Sequence, residues 1–555
     1  MIRRLALAWA ALGTLALAVT ADGQPIDTHR ILPDRTALGR LGLERSWFAT
    51  VPLQSGLEQV NHLSLTTDGT QIFAQTTEAN LYCYDSETGR MLWKANLGPS
   101  SGLAQDVGTN STLAFATNGN FIFALDRATG RQVWVERMEA NATSPIVATE
   151  DLVFIGEANG KLLAFSLRPS EDPRFQKQTG APGGFAWNFS TNGPITAEPV
   201  PTQFVVAFAS NGGRLYVARY DPPSVLHRSQ DIGPLSASMG TYGSGPESLL
   251  VVPSMNRNLF GINLFTGEQK WVFPTRSPIS AQPLVGGGDV TITRRVPERR
   301  TRTILGTDLR SYEQEYTEVV EQEEVLPLPP TIYVLSDGGD LYAVAPDSGD
   351  SRWTSIVPLP GTERQQVDPR TGRSVSVPGT ARPVTDPSTG EPVRQPRGVQ
   401  TGAEQILALS PSRVYLRTQY GDLAIVDRES GELVAGPAAT FQRAGVDLRR
   451  YSVTTTNDSH DRIYLASPHG SIVCLREYGS ISPIPLRAAE TQPFGFLRDE
   501  SGGTTTTPPP VPAAPFGDDP LPEPVDDEGL DGADNPFDFG FGARPLPRNI
   551  TTQRR

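Results

Sequence analysis

Five histidines, two cysteines and one Gly-x-Ser-x-Gly run are the residues of this 555-residue chain with the most scope for chemistry. The histidines are His29, His62, His227, His460 and His469. A zinc hydrolase presents two histidines one helical turn apart with a glutamate between them, and no pair here has that spacing. His460 and His469 flank a strand and could approach each other, yet no cysteine or carboxylate constellation accompanies them, so a turn and a surface position are the expectation. Gly98-Pro99-Ser100-Ser101-Gly102 falls in a loop after a strand and not on a strand-to-helix elbow, which leaves its serine unactivated. Thr241-Tyr242-Gly243-Ser244-Gly245 reads as a glycine-rich turn, not a phosphate cradle. Cys83 and Cys474 are too few for a disulfide framework, and no Cys-x-x-Cys-His occurs. The residues therefore predict no catalytic group, no metal ligand and no bound cofactor.

Composition narrows the class. The chain is 38% hydrophobic and 20% charged, and its 53 glycines and 49 prolines suit many short strands and turns. A net charge of −13 argues against nucleic acid as a partner, because such binders carry a basic face. Arg3 and Arg4 precede an apolar run from Leu5 to Val19, and Val19-Thr20-Ala21 offers small residues for cleavage. Residues 1–21 are thus expected to be a signal peptide, placing the mature protein in the periplasm or cell envelope. With no cysteine near the cleavage point a lipid anchor is not expected, and no later stretch is long enough to span a bilayer.

What must position any site is a repeat. Leu81 to Asp85, then Thr88-Gly89 and Trp93, recurs as Ile122 to Asp126, Thr129-Gly130 and Trp134. It recurs as Leu259 to Asn263 with Gly267 and Trp271, and as Leu341 to Ala345 with Gly349 and Trp353. A fifth copy, Asp427 with Ser430-Gly431, carries Ala435 in the tryptophan slot. Three weaker copies centre on Ser166, Arg219 and Arg476; the first has a lengthened turn before Trp187 and the second places His227 in the slot. Unstretched copies are about 40–45 residues apart, the length of a four-stranded propeller blade. In each unit Asp85, Asp126 or Asp427 can bond turn amides, while Gly89, Gly130, Gly267, Gly349 and Gly431 take the left-handed position. The outer-strand tryptophan then covers the seam between neighbouring blades. A small residue at Ala124, Ala164, Gly261 and Ala343 is read as room for crowded inner strands.

The expected fold is all-β: an eight-bladed β-propeller of four-stranded antiparallel blades. The eighth copy lacks an outer strand, and Leu43-Glu44-Arg45-Ser46-Trp47 lacks a blade, so an N-terminal strand is expected to close the ring and remove the open edge. Cys83 and Cys474 then occupy equivalent positions of neighbouring blades, as two small buried thiols or as a pair. The propeller is placed at 43–485 after a linker at 22–42. An insert at 294–328 interrupts the first hairpin of blade six, and another at 359–400 precedes blade seven. They should decorate opposite faces. Residues 486–555 read as a disordered Pro/Thr-rich acidic tail with Phe537, Phe539 and Phe541 near its end.

The stretch from Ala124-Leu125-Asp126 to Trp134, like Cys83-Tyr84-Asp85 to Trp93, resembles the pyrroloquinoline quinone (PQQ)-type propeller repeat. The resemblance covers 43 to about 480 and implies the fold more than an activity. One branch of that superfamily holds quinone-dependent dehydrogenases. The other holds cofactor-free scaffolds such as BamB, the outer-membrane β-barrel assembly factor, and this chain is more similar to the latter. Dehydrogenases of the first branch hold quinone beneath a vicinal disulfide with calcium nearby, whereas Cys83 and Cys474 are far apart in sequence. What the resemblance implies is a monomeric, non-catalytic platform for other envelope proteins, possessing no lipobox cysteine and carrying inserts foreign to typical BamB. A quinoprotein and a surface-displayed sensor are the competing readings.

Overall fold

A computed structural model describes residues 32–487, apart from 55, 57, 101–102, 168–183, 203, 221, 244–246, 306–310, 357–362, 368–373, 379–402, 438–439 and 441–444. His29, the signal and tail segments, part of the Gly-x-Ser-x-Gly run and most of the second insert lie outside the described residues.

Eight four-stranded antiparallel sheets follow one another along the chain as propeller blades. Blades one to seven are sequential meanders, starting at Val60, Gly108, Val147, Val200, Gly240, Leu284 and Ala403. Blade eight takes three strands from Val453–Thr454, Ile463–Ala466 and Ser471–Glu477, and its outer strand from Leu43–Thr50. Trp47 pairs with Cys474 and Phe48 with Val473, so the first described strand locks the ring. Of the segment read as a linker, residues 35–39 form a helical turn capped by Asp34, whose carboxylate accepts from the Ala37 amide at 3.0 Å. Ala37, Leu38 and Leu41 bury against blades seven and eight, because an apolar turn next to the closing seam removes more surface from water than a free linker could.

The seams show how the repeat works. The Trp47 indole N–H donates to the Ser86 carbonyl at 2.9 Å, and its ring lies against Gly89 in the blade-one turn. Trp93 bonds the Arg127 carbonyl and covers Gly130; Trp271 bonds the Pro346 carbonyl and covers Gly349; Trp353 bonds the Arg428 carbonyl and covers Gly431. Each indole thus sits on the turn of the next blade. A Cβ at Gly89 would lie 2.4 Å from the Trp47 ring, and its φ of +70° disfavours any other residue. Asp85, Asp126 and Asp427 fix these turns, each carboxylate accepting from the backbone and hydroxyl of Thr88, Thr129 or Ser430. His227 occupies the tryptophan position of blade four and packs on Gly267.

Exceptions obey the same geometry. Blades three and four lack the Thr-Gly turn, and the indole N–H groups that would meet them, on Trp134 and Trp187, are buried with no partner among the described residues. Blade eight also lacks that turn, since its outer strand comes from the N-terminus, and the preceding blade has Ala435 instead of tryptophan.

The small residue was read as relief for crowded inner strands; its role is different. Ala124, Ala164, Gly261 and Ala343 pair directly with Trp134, Trp187, Trp271 and Trp353 of their own blades, so the space they leave is filled by the indole. Cys83 and Cys474 hold this slot opposite Trp93 and Trp47. Both are free buried thiols, with burial pushing each up to about 12.

Blade six departs most from its siblings. Its first two strands, Leu284–Leu305 and Ser311–Leu335, stay in register from Gly288–Leu328 to Leu305–Ser311. At ~3.3 Å per residue this two-stranded ribbon extends on the order of 60 Å beyond the blade. The insert is therefore an extension of the hairpin itself. In the second insert, Glu363–Val367 and Ser374–Pro378 form a separate antiparallel hairpin.

Candidate functional site

The innermost strands surround a central channel, and a cavity of about 530 Å³ opens within it. Its walls come from six blades and from one segment the sequence did not single out. After Glu477 the chain turns back beneath blade eight and runs from Ser480 to Arg487 into the channel. Ile484 accepts from the Asp461 amide at 3.0 Å, Leu486 donates to the Ser459 carbonyl at 3.1 Å, and Gly287 donates to the Leu486 carbonyl at 2.8 Å. Leu486 and Arg487 are therefore part of the folded body, although the tail was placed from 486. Gly287, with φ of +121°, forms a bulge at the ribbon's root; a Cβ there would lie 2.6 Å from the Pro329 carbonyl.

A buried ion pair anchors this strap. Arg462 and Asp461, 3% and 0% exposed, meet at 2.8 Å. Arg462 also donates to the Ser480 and Ile481 carbonyls at 3.0 Å, and Ser480 donates to Asp461 at 2.8 Å. Every ionic group is thus matched, as burial of charge demands.

Charged side chains converge on the channel from separate blades. His62, from the first strand of blade one, meets Asp106, before the first strand of blade two, at 2.7 Å. Burial works to lower the imidazole, but the Asp106 hydrogen bond and charge outweigh it and hold His62 above its ordinary value. Glu198 enters from the approach to blade four and Asp458 from the first hairpin of blade eight, both lining the cavity. Arg487 donates to the Thr241 carbonyl at 3.2 Å and the Asp458 carbonyl at 3.3 Å. Burial raises the Asp458 carboxyl, opposed by the Arg487 charge.

His460 has a structural role. Its Nδ1 faces the Asn457 amide at 2.9 Å and its Nε2 faces the Gly69 carbonyl at 3.1 Å, so Nδ1 accepts and Nε2–H donates. Burial holds it down to about 4, as a neutral ring. The unfolded chain binds the proton first, so stability should fall as pH drops from roughly 6.5 toward 4, by about 3 kcal/mol for this group. Unfolding midpoints across that range should show the loss in the native chain and a smaller loss in His460→Gln. An equal loss in both would refute the assignment.

His460 and His469 do not form a joint site. His469 belongs to the hairpin preceding Ser471–Glu477, where its amide donates to Ser467 Oγ at 3.1 Å. Ser100 donates to the Thr77 carbonyl, in a loop with no elbow geometry. The seam tryptophans lie between blades, and of the predicted turn residues only Asp85 reaches the cavity wall. Among the described residues no three His, Cys, Asp or Glu groups gather closely enough to hold a metal ion. Neither cysteine is among the residues that line the cavity. Sequence reading missed Asp106, Glu198, Asp458 and Arg487 because each is a single residue outside the repeat motif.

Comparison with known proteins agrees with the repeat. The family described as "Outer membrane protein assembly factor BamB" matches residues 35–216 and 181–385, more than half of the chain. No curated protein sequence matches significantly. Among solved structures, BamB from Moraxella catarrhalis has a TM-score of 0.45 and 12% identity, covering 78% of this chain and 97% of its own. The computationally designed Ika8 protein has a TM-score of 0.44 and 10% identity, covering 76% and 97%. With a family match that spans residues 35–385, the repeats of the first six blades, the chain belongs to the BamB family of PQQ-repeat β-propellers.

Proposed function

We propose that this chain is an exported, non-catalytic scaffold of the cell envelope that binds other envelope proteins and serves outer-membrane protein assembly. The family's naming as an outer-membrane protein assembly factor supports the assembly role, and the apolar leader at residues 5–19 supports export. No helix among the described residues is long and apolar enough to cross a membrane.

The observation that carries the reading is the blade-six ribbon. Beyond Gly288 neither edge pairs with a further strand among the described residues, since Ser311–Leu335 reaches its next neighbour only from Ile332. A row of free backbone donors and acceptors is what strand addition uses to bind an extended segment of a partner. Val319 and Val325 are 59% and 57% exposed, offering apolar contacts along that edge. Arg300 bridges Glu318 on the facing strand at 2.8 Å and Glu298 on its own strand at 3.0 Å.

The test replaces residues 290–326 with Asn-Gly, a two-residue turn that recloses the hairpin. Cells lacking the protein should hold fewer folded β-barrel proteins in the outer membrane. The full chain should restore them, while the ribbonless chain, with an unchanged melting temperature, should not. Unchanged β-barrel levels in the deletion strain would remove the assembly role, and full rescue by the ribbonless chain would remove the ribbon from it.

A further inference from the structure

The two edges of the blade-six ribbon are not equivalent, and proline shows which one can take a further strand. Pro297, in Leu284–Leu305, faces Val319, and Pro327, in Ser311–Leu335, faces Asp289, within one continuous register. Proline has no N–H, so neither pair can be of the kind that exchanges both ladder hydrogen bonds. Their backbone groups therefore point away from the ladder, the orientation in which a sheet tolerates proline. The two pairs lie an even number of residues apart, so they agree with each other. Every odd-numbered residue of the ribbon then turns its backbone outward. Along the second strand this row runs from Ser311 to Val325 without a proline, whereas along the first it is broken midway at Pro297.

Charge divides the edges in the same way. The second strand carries six glutamates and no lysine or arginine; the first carries five arginines against Asp289 and Glu298. Glu315, Thr317, Val319, Glu323 and Val325 share one face, and all are exposed. Arg300 meets Glu318, which lies on the other face, and neither Glu315 nor Glu323 has an ion pair among the described residues.

We propose that the edge from Ser311 to Val325 binds an extended basic segment of a partner protein as a third strand of the ribbon. The proposal deepens the scaffold reading and rests on it for the use of a ribbon edge. Opposite charges directly across a strand pair stabilise it and like charges oppose it. Lysine or arginine therefore belongs opposite Glu315 and Glu323, and an apolar residue opposite Val319 and Val325. Because side chains alternate between faces, these residues occupy every second position of the segment. An acidic segment is rejected at this edge, and any segment laid on the other edge lacks a donor at Pro297.

The test is fluorescence anisotropy of the labelled peptide Val-Thr-Lys-Thr-Lys-Thr-Val-Thr-Thr-Thr-Lys, titrated with the full chain. Its pattern suits antiparallel addition, the more stable pairing per residue. Saturable binding is expected for this peptide and not for its counterpart with every Lys made Glu. N-methylation of the lysines, whose N–H groups face the edge, should abolish binding, while N-methylation of the threonines between them should not. Val319→Pro, turned outward like Pro297, should raise Kd about tenfold with an unchanged melting temperature, and Thr301→Pro on the other edge should leave Kd as it is. Glu315→Lys combined with Glu323→Lys should transfer the preference to the acidic peptide. Equal binding of the two peptides would overturn the proposal while leaving the ribbon's part in β-barrel rescue untouched. Absence of saturation, or binding indifferent to lysine N-methylation, would overturn it together with the use of this edge for strand addition.

Discussion

Trp47→Ala is expected to destabilise the propeller by about 3–5 kcal/mol, the usual cost of removing a buried aromatic side chain. The indole fills the slot above Cys474, lies on Gly89 and donates to the Ser86 carbonyl, so it joins blade eight to blade one. It is also the seam on which closure depends, because its strand is the one supplied from the far end of the chain. Conservative variants separate the terms. Trp47→Phe keeps most of the packing but leaves the Ser86 carbonyl one donor short, a net cost of about 1 kcal/mol beyond the lost ring area. Trp187→Phe removes an indole N–H that is buried without a partner among the described residues and should be near neutral. Thermal unfolding should therefore rank Trp47→Ala lowest, Trp47→Phe next and Trp187→Phe close to the native chain. If Trp47→Phe and Trp187→Phe fell by the same amount, the hydrogen bond would not be the distinguishing contact.

Arg462→Met should cost a further 3–5 kcal/mol or so at neutral pH, because it leaves the Asp461 carboxylate buried without its cation. The same change frees the Ser480 and Ile481 carbonyls, so the strap should loosen from the channel and exchange its amides faster. Burial already raises the Asp461 carboxyl, with Arg462 opposing it. Removing Arg462 raises it further, and the sign of the pH dependence follows. Above the unfolded value of about 3.9 the unfolded chain sheds the proton more readily than the folded one, so stability falls as pH rises until the folded carboxyl also ionises. The variant should thus lie nearest the native chain in acid and furthest from it at neutral pH. The double variant Arg462→Met with Asp461→Leu should recover much of the loss at pH 7. A pH-independent deficit would show that the damage comes from lost packing.

Together these contacts explain how a disc of separate sheets becomes one body. Tryptophans fasten blade to blade around the rim, while the strap ties blade eight to blade six through the channel. The ribbon and the strap share Gly287, whose amide bonds Leu486, so the projecting element is rooted at the channel wall.

The repeat was legible in the sequence because its signals are local. A turn glycine, a bonding Asp and a tryptophan four residues beyond the glycine all act within one unit, so their register gives blade number and boundaries without knowledge of the ring. Even the closing strand could be read, since Trp47 had no blade of its own and blade eight had no fourth strand. The partner of each indole was not legible: Gly89 and Trp47 are neighbours only once the ring is closed. The same reason hides the channel. Glu198, Asp458 and Arg487 stand alone in their segments and meet at the cavity wall only where radial sheets bring their inner strands together, as His62 meets Asp106 only across the seam of blades one and two. The ribbon was visible as a charged insert, but pairing between residues far apart along the hairpin decided that it is a continuous sheet. Local periodicity determined the units; long-range closure decided which side chains they place together.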